Sequence, residues 1–183
     1  MTKATIGVYM GAHQGELPIY NAAAQAVGQA IGDHDWALVY GGSKGGLMGT
    51  VAKSALAAGA PVTGIHPTTL PDEASAEDIP MNFISVPDMD TRKRMMFEQS
   101  DAFVFLPGGL GTLEELAQVL SWTKLGYYDK PIVLIDIEGY WDSLVAWLQT
   151  AVSTNFTTAA SVDRIQVLPS VAATFDYLAT QLD

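Results

Sequence analysis

The chain contains no cysteine and little positive charge. Its 183 residues include nine Lys and Arg against twenty Asp and Glu, a formal net charge of −11. Without cysteine there is no disulfide, no thiolate metal site and no cysteine nucleophile. An acidic surplus of this size excludes general nucleic-acid binding by a basic surface. The three histidines, His13, His34 and His66, are scattered without metal-ligand spacing, so no metal site is expected. No apolar run approaches the ~20 residues of a membrane-spanning helix. The N-terminus goes directly into Ala4-Thr5-Ile6-Gly7-Val8-Tyr9-Met10 and lacks the three-part pattern of a signal peptide. These absences predict a cytoplasmic protein with neither membrane nor nucleic acid as partner.

What is present is apolar and regular. Hydrophobic residues make up 49% of the chain, and strand-like runs alternate with helical patterns. Strands are expected near 4–10, 36–40, 61–66, 82–86, 102–106, 131–136 and 164–168. Helices are expected near 18–31, 46–58, 90–99, 112–125, 141–152 and 170–181. The strands are continuous apolar runs, as required when helices cover both faces of a sheet. The expected fold is α/β: an open, doubly wound, mostly parallel Rossmann-like sheet, with residues 1–183 forming a single nucleotide-binding domain. Ligands of such sheets bind beyond the carboxyl ends of the strands, and every Gly-rich turn of this chain lies there. The one irregular stretch, Pro67 to Pro80, reads as a solvated loop, with a lid over the site as the alternative.

The most informative segment is Pro107-Gly108-Gly109-Leu110-Gly111-Thr112-Leu113-Glu114-Glu115. It follows the apolar run Ala102 to Leu106 and opens a helical pattern. Unpaired N–H groups at a helix start, with the positive end of the helix dipole, suit a phosphate at Gly108 to Thr112. Two carboxylates in the first turn then point to chemistry beside that phosphate. A plainer reading competes: Thr112 and Glu115 fit a T-x-x-E capping box. The periodicity makes Leu113, Leu116, Ala117 and Leu120 the core stripe and puts Glu115, Val119 and Trp122 on another face. Val119 and Trp122 then need cover, from another element of this chain or from a second copy, and the second reading predicts a homodimer with the site near its interface.

Gly41-Gly42-Ser43-Lys44-Gly45 formally matches the G-x-S-x-G nucleophile elbow. No acid lies between Ser43 and His66, the sole later histidine, so the triad fails and a second phosphate or ribose turn is the better reading. Neither a Walker A loop nor a clean G-x-G-x-x-G is present, which disfavours ordinary dinucleotide binding. His13 follows the first strand and reads as a solvated loop residue within reach of the sheet edge. Three of the nine cations stand together at Arg92-Lys93-Arg94. A cation early in a helix opposes the dipole, so Arg92 is expected to serve the site and not merely to pair with Asp88 and Asp90.

Together these pieces resemble the Lonely Guy family of phosphoribohydrolases. The likeness rests on Tyr40-Gly41-Gly42 with Gly46-Leu47-Met48-Gly49, on Met89-Asp90-Thr91-Arg92-Lys93 and on Pro107 through Glu115. Ser121-Trp122, Leu125-Gly126 and Asp129-Lys130-Pro131 extend it. The resemblance implies hydrolysis of the N-glycosidic bond of a cytokinin riboside 5′-monophosphate, giving free base and ribose 5-phosphate without cofactor or metal. It makes Arg92 and Glu115 the catalytic pair, with Glu115 kept ionised by the helix dipole. It puts Lys93, Gly109, Gly111, Thr112 and Glu114 in substrate-binding segments, and the Gly-rich turns add Gly11, Gly41, Gly42, Ser43 and Gly108 as substrate-binding candidates. Glu73 matches an upstream substrate-binding glutamate, and Ser121 stands where many members have Thr. Met10-Gly11-Ala12 replaces a common Cys-Gly-Ser turn and lacks its hydroxyl. The older lysine decarboxylase label of some members has no support from a pyridoxal phosphate lysine in this sequence. Two alternatives stay open: an AMP nucleosidase-type salvage enzyme, and a non-catalytic nucleotide or cofactor carrier.

Overall fold

Seven short apolar segments pair side by side in one sheet, every neighbour parallel. A computed structural model describes residues 2–71 and 74–182. The strands are β1 (Thr5–Tyr9), β2 (Ala37–Tyr40), β3 (Val62–Pro67), β4 (Asn82–Val86), β5 (Ala102–Phe105), β6 (Ile132–Ile135) and β7 (Ile165–Leu168). The helices are α1 (Pro18–Asp33), α2 (Gly46–Ala57), α3 (Met89–Gln99), α4 (Leu110–Lys124), α5 (Asp142–Ser153), α6 (Ala159–Val162) and α7 (Val171–Leu182). Every expected strand and long helix is present. The four-residue α6 is too short to leave a periodic signal. No helix of the described residues is long and apolar enough to cross a membrane.

Sheet order is β4-β3-β2-β1-β5-β6-β7. The chain winds outward from β1 in one direction, then returns to the centre and winds the other way from β5. This is a doubly wound Rossmann-like sheet with one added edge strand. Successive strand residues face opposite sides, which builds two cores. Ile6, Val8, Leu38, Val104 and Val133 pack under α1, α2 and α7 with Val27, Val51 and Phe175. Tyr9, Val39, Phe103, Phe105 and Leu134 pack on the other face with Phe97, Leu116 and Val119.

Helix α4 has the expected period but a different inward face. Its buried residues are Thr112, Glu115, Leu116, Val119 and Thr123, while Leu113 and Ala117 are exposed. Val119 lies in the core, and Trp122 packs edge-on against Phe97 at 4.8 Å. Those two residues are therefore covered within the chain and do not require a second copy. The physical reason is a buried ion pair at Glu115, described below, which turns the helix so that a carboxylate faces inward. Hydropathy assigns such a residue to solvent.

The segment after β3 is fastened, not a free solvated loop. The Ala76 N–H donates to the Gly42 carbonyl (3.0 Å), the Lys44 N–H donates to the Ala74 carbonyl (3.0 Å), and Ala76 is fully buried.

Candidate active site

Strands β1 and β5 are neighbours whose following segments leave in opposite directions, so a cleft opens between them. One wall is Met10 to Gly15, and the other is Pro107 to Thr112 with Glu115. The cleft has a volume of about 530 Å³, within the range of small-molecule sites. Arg92 and Met89 close it from α3, Tyr20 from α1, Leu47 and Met48 from α2, and Leu70 and Tyr140 from loops.

At the Gly-rich wall, α4 begins earlier than hydropathy suggests. Gly109 is its N-terminal cap, makes no side-chain capping bond, and accepts the first helical bond from the Leu113 N–H at 3.0 Å. The Thr112–Glu115 capping box is therefore not formed. Glu114 and Glu115 sit past the first turn instead of in it. The N–H groups of Leu110, Gly111 and Thr112 precede the first helical bond and remain available. A Cβ added at Gly109 or Gly111 would meet nothing within 4 Å, so the backbone there borders open space. The Pro107 carbonyl is held by the Gly11 N–H at 3.1 Å, which ties the two walls together.

Arg92 is 4% exposed, as is Glu115, and Nη2 of Arg92 donates to Oε1 of Glu115 at 3.2 Å. Nη1 donates to the Met89 Sδ at 3.3 Å, while the buried Nε meets no acceptor among the described residues. Neither Asp88 nor Asp90 pairs with Arg92. Asp88 caps α3 by accepting the Thr91 N–H at 2.7 Å, a bond that holds its carboxyl below the usual range. The guanidinium lies directly against Gly41, where any Cβ would overlap it. Gly41 thus makes room for the cation of the site.

Burial governs the charge on Glu115. Loss of solvent raises its pKa, the Arg92 charge opposes that and Glu114 adds to it, and the result is a carboxyl pushed up to about 7. The expectation of a carboxylate held ionised by the helix dipole is thereby corrected. Glu115 is one turn too deep for the dipole to dominate.

Seven of the expected residues line the cavity: Gly11, Arg92, Gly108, Gly109, Gly111, Thr112 and Glu115. Gly41, Gly42 and Ser43 do not line the cavity: Gly41 lies against Arg92, Gly42 against Ile65 and His66, and Ser43 is bridged to Ser75. Lys93 and Glu114 pair with each other at 2.6 Å outside the cavity, and Ser121 is exposed further along α4. Glu73 lies outside the described residues. His13 lines the cavity and is exposed. Sequence reasoning missed Tyr20, Met48, Met89 and Tyr140. Met48 and Met89 stood inside the motifs that carry the resemblance and Tyr140 just past the end of β6, while Tyr20 carried no signal.

A family model described as possible lysine decarboxylase matches residues 48–178. A probable cytokinin riboside 5′-monophosphate phosphoribohydrolase of Oryza sativa subsp. japonica is 39% identical over 158 residues, 86% of this chain and 68% of that one. The chain belongs to the Lonely Guy family. A cytokinin riboside 5′-monophosphate phosphoribohydrolase of Rhodococcoides fascians, also similar, is 37% identical over 173 residues, 93% of this chain and 86% of that one. Among solved structures, the molybdenum cofactor binding protein of Rippkaea orientalis superposes with a TM-score of 0.75 at 23% identity, covering 100% of this chain and 99% of that one. That likeness shows the fold alone.

Proposed function

We propose that this chain hydrolyses the N-glycosidic bond of a purine riboside 5′-monophosphate of the cytokinin type, releasing free base and ribose 5-phosphate. The observation that carries the reading is the buried Arg92–Glu115 pair, set in the same cavity wall as the free N–H groups of α4. The names of the relatives agree with it. The 5′-phosphate sits at Gly108 to Thr112, where backbone donors and the helix dipole favour an anion. The ribose is then carried toward Glu115. As the C1′–N bond breaks, its electron pair leaves with the base and positive charge builds on the sugar. Ionised Glu115 stabilises that charge and takes the proton of the water that adds to C1′. Arg92 holds the carboxylate and offers its remaining N–H donors to the departing base or the phosphate. A carboxyl titrating at about 7 suits a group that takes the proton of the water and then yields it to the base nitrogen that left with the electron pair, so that the base is released neutral.

Met10, Leu47, Met48, Leu70 and Met89 give the cavity an apolar side. It fits an isopentenyl-type substituent on the base, which places such nucleotides ahead of plain AMP. No lysine lines the cavity among the described residues, and Lys93 is engaged outside it, which disfavours decarboxylation through a lysine Schiff base. The carrier reading has the shared fold in its favour but gives no use for a buried carboxylate beside the ribose. A nucleotide substrate fits a cytoplasmic enzyme.

The protein is to be incubated with AMP, isopentenyladenosine monophosphate and the two nucleosides, and free base measured. Monophosphates are expected to be cleaved far faster than nucleosides, and the isopentenyl form faster than AMP. Equal rates with and without phosphate remove the phosphate site, and no base from any of the four moves the carrier ahead.

We also propose a homodimer, covered at a face other than Val119 and Trp122. Leu110, Leu113 and Leu125 of α4 and its end are 85%, 40% and 65% exposed, and Ala117 lies between them. Leu110 also borders the cavity, so a second copy on this face adjoins the site. Leu113→Asp is expected to turn a dimer into a monomer in sedimentation. A wild-type chain that sediments as a monomer ends the proposal.

A further inference from the structure

Tyr140 follows β6 through a single 3-10 turn, Ile137–Gly139, whose last two residues are both left-handed. Glu138 has φ 54° and Gly139 has φ 71°. A non-glycine residue in that region is strained and persists only where its surroundings demand it. The demand here is directional. The two left-handed residues reverse the chain, and the Trp141 N–H is pinned to Oδ1 of Asp136 at 2.8 Å. Tyr140 is thereby sent back over the cavity. Its ring stands edge-on to Trp141 at 5.0 Å and to Tyr20 at 5.8 Å. Its hydroxyl donates to the Gly108 carbonyl at 2.6 Å, although the residue remains 40% exposed.

That hydrogen bond acts on the Gly-rich turn. In a trans peptide the C=O of one residue and the N–H of the next point to opposite sides of one rigid plane. Holding the Gly108 carbonyl therefore fixes the direction of the Gly109 N–H. The preceding peptide is held in the same manner, since the Gly11 N–H secures the Pro107 carbonyl and so sets the Gly108 N–H. Glycine has no side chain to restrict it, and Gly109 has open space around it. Without these two ties the peptide planes would rotate freely.

We propose that Tyr140 is a positioning residue for phosphate: its hydroxyl locks the Gly108–Gly109 peptide so that the turn presents preset donors to the 5′-phosphate. The proposal rests on the phosphate reading of this cavity and adds a residue from the segment after β6 that sets its affinity. It separates phosphate recognition into a scaffold, the Gly-rich turn, and a latch, Tyr140.

The test is calorimetric binding of ribose 5-phosphate to the wild type and to Tyr140→Phe, with turnover of monophosphate and nucleoside measured alongside. Removing one hydroxyl while keeping the ring should weaken ribose 5-phosphate binding by about 5- to 10-fold, the worth of one hydrogen bond. The monophosphate-to-nucleoside ratio of kcat/KM should fall by a similar factor, with little change in melting temperature. A purely structural hydroxyl would lower the melting temperature and leave the ratio unmoved, and that result overturns the proposal. Equal binding by both proteins overturns it too and leaves the phosphate site standing. A wild type that binds no ribose 5-phosphate overturns both.

Discussion

Two ion pairs join α3 to α4, one residue apart on each helix, and they live in different worlds. Arg92 and Glu115 have side chains 5% exposed each, whereas the Lys93–Glu114 pair meets at 2.6 Å with Glu114 52% exposed. Burial alone would depress the Lys93 pKa, but its bond to Glu114 and the charges of Glu114 and Asp90 outweigh that and raise it. For Glu115 burial wins and its carboxyl rises to about 7. The outer pair strengthens the charged state of Lys93. The inner one holds a carboxyl near the point of gaining or losing its proton. The difference comes from one helical step, which turns one glutamate to water and the next to the cavity.

The largest effect that would break this contrast belongs to Glu115→Gln. Turnover is expected to fall by roughly 10²–10³-fold, the scale of one preorganised electrostatic group. Affinity should change much less, because the charge it meets develops in the transition state. Wild-type kcat/KM should rise with pH through an apparent pKa of about 7. A variant that turns over normally makes Glu115 a structural residue.

Stability gives the next effect, and its sign is opposite. The folded carboxyl titrates at about 7 and the unfolded one at 4.5, so the native state keeps a proton that the unfolded chain releases. Stability is thus lost as pH rises through that window, by ~3 kcal/mol at ~1.4 kcal/mol per pKa unit. Chemical denaturation should find Glu115→Gln more stable than wild type at pH 8 by about that amount and near wild type at pH 4. Parallel curves for the two proteins would place Glu115 in an ordinary carboxylate environment. The smallest effect is that of the outer pair. Glu114→Gln should cost ~0.2–1 kcal/mol, less at high salt, with turnover within a few-fold of wild type. A loss as large as that of Glu115→Gln would erase the distinction between the pairs.

The order of strands and helices was legible in the sequence because the central strands are unbroken apolar runs and turn signals separate the segments between them. The Gly-rich turn and Arg92 were legible as well, the first by its glycines and the second as a cation where the dipole opposes one. The rotation of α4 was not. Leu113 and Ala117 look like core and Glu115 looks like surface until Arg92, twenty-three residues earlier, is seen to pair with it. The capping reading of Thr112 failed for the same reason, because helix start and helix rotation are set by contacts remote in sequence. The parts of Gly41 and Tyr140 were hidden too. A glycine that vacates space for a distant guanidinium looks like any turn glycine, and a tyrosine hydroxyl gives no hint of the carbonyl it will find.

The contact between Gly41 and the Arg92 guanidinium has a consequence for descent. While the arginine keeps its place, a side chain at position 41 must push the guanidinium out of the ion pair, a veto on mutation there however harmless it looks on a strand end. Once a lineage loses the arginine, that veto lifts and larger residues can drift in. Such residues would persist even if the rest of the Gly-rich turn stayed intact. A larger residue at the position of Gly41 would thus mark relatives that keep the fold and have given up the ion pair.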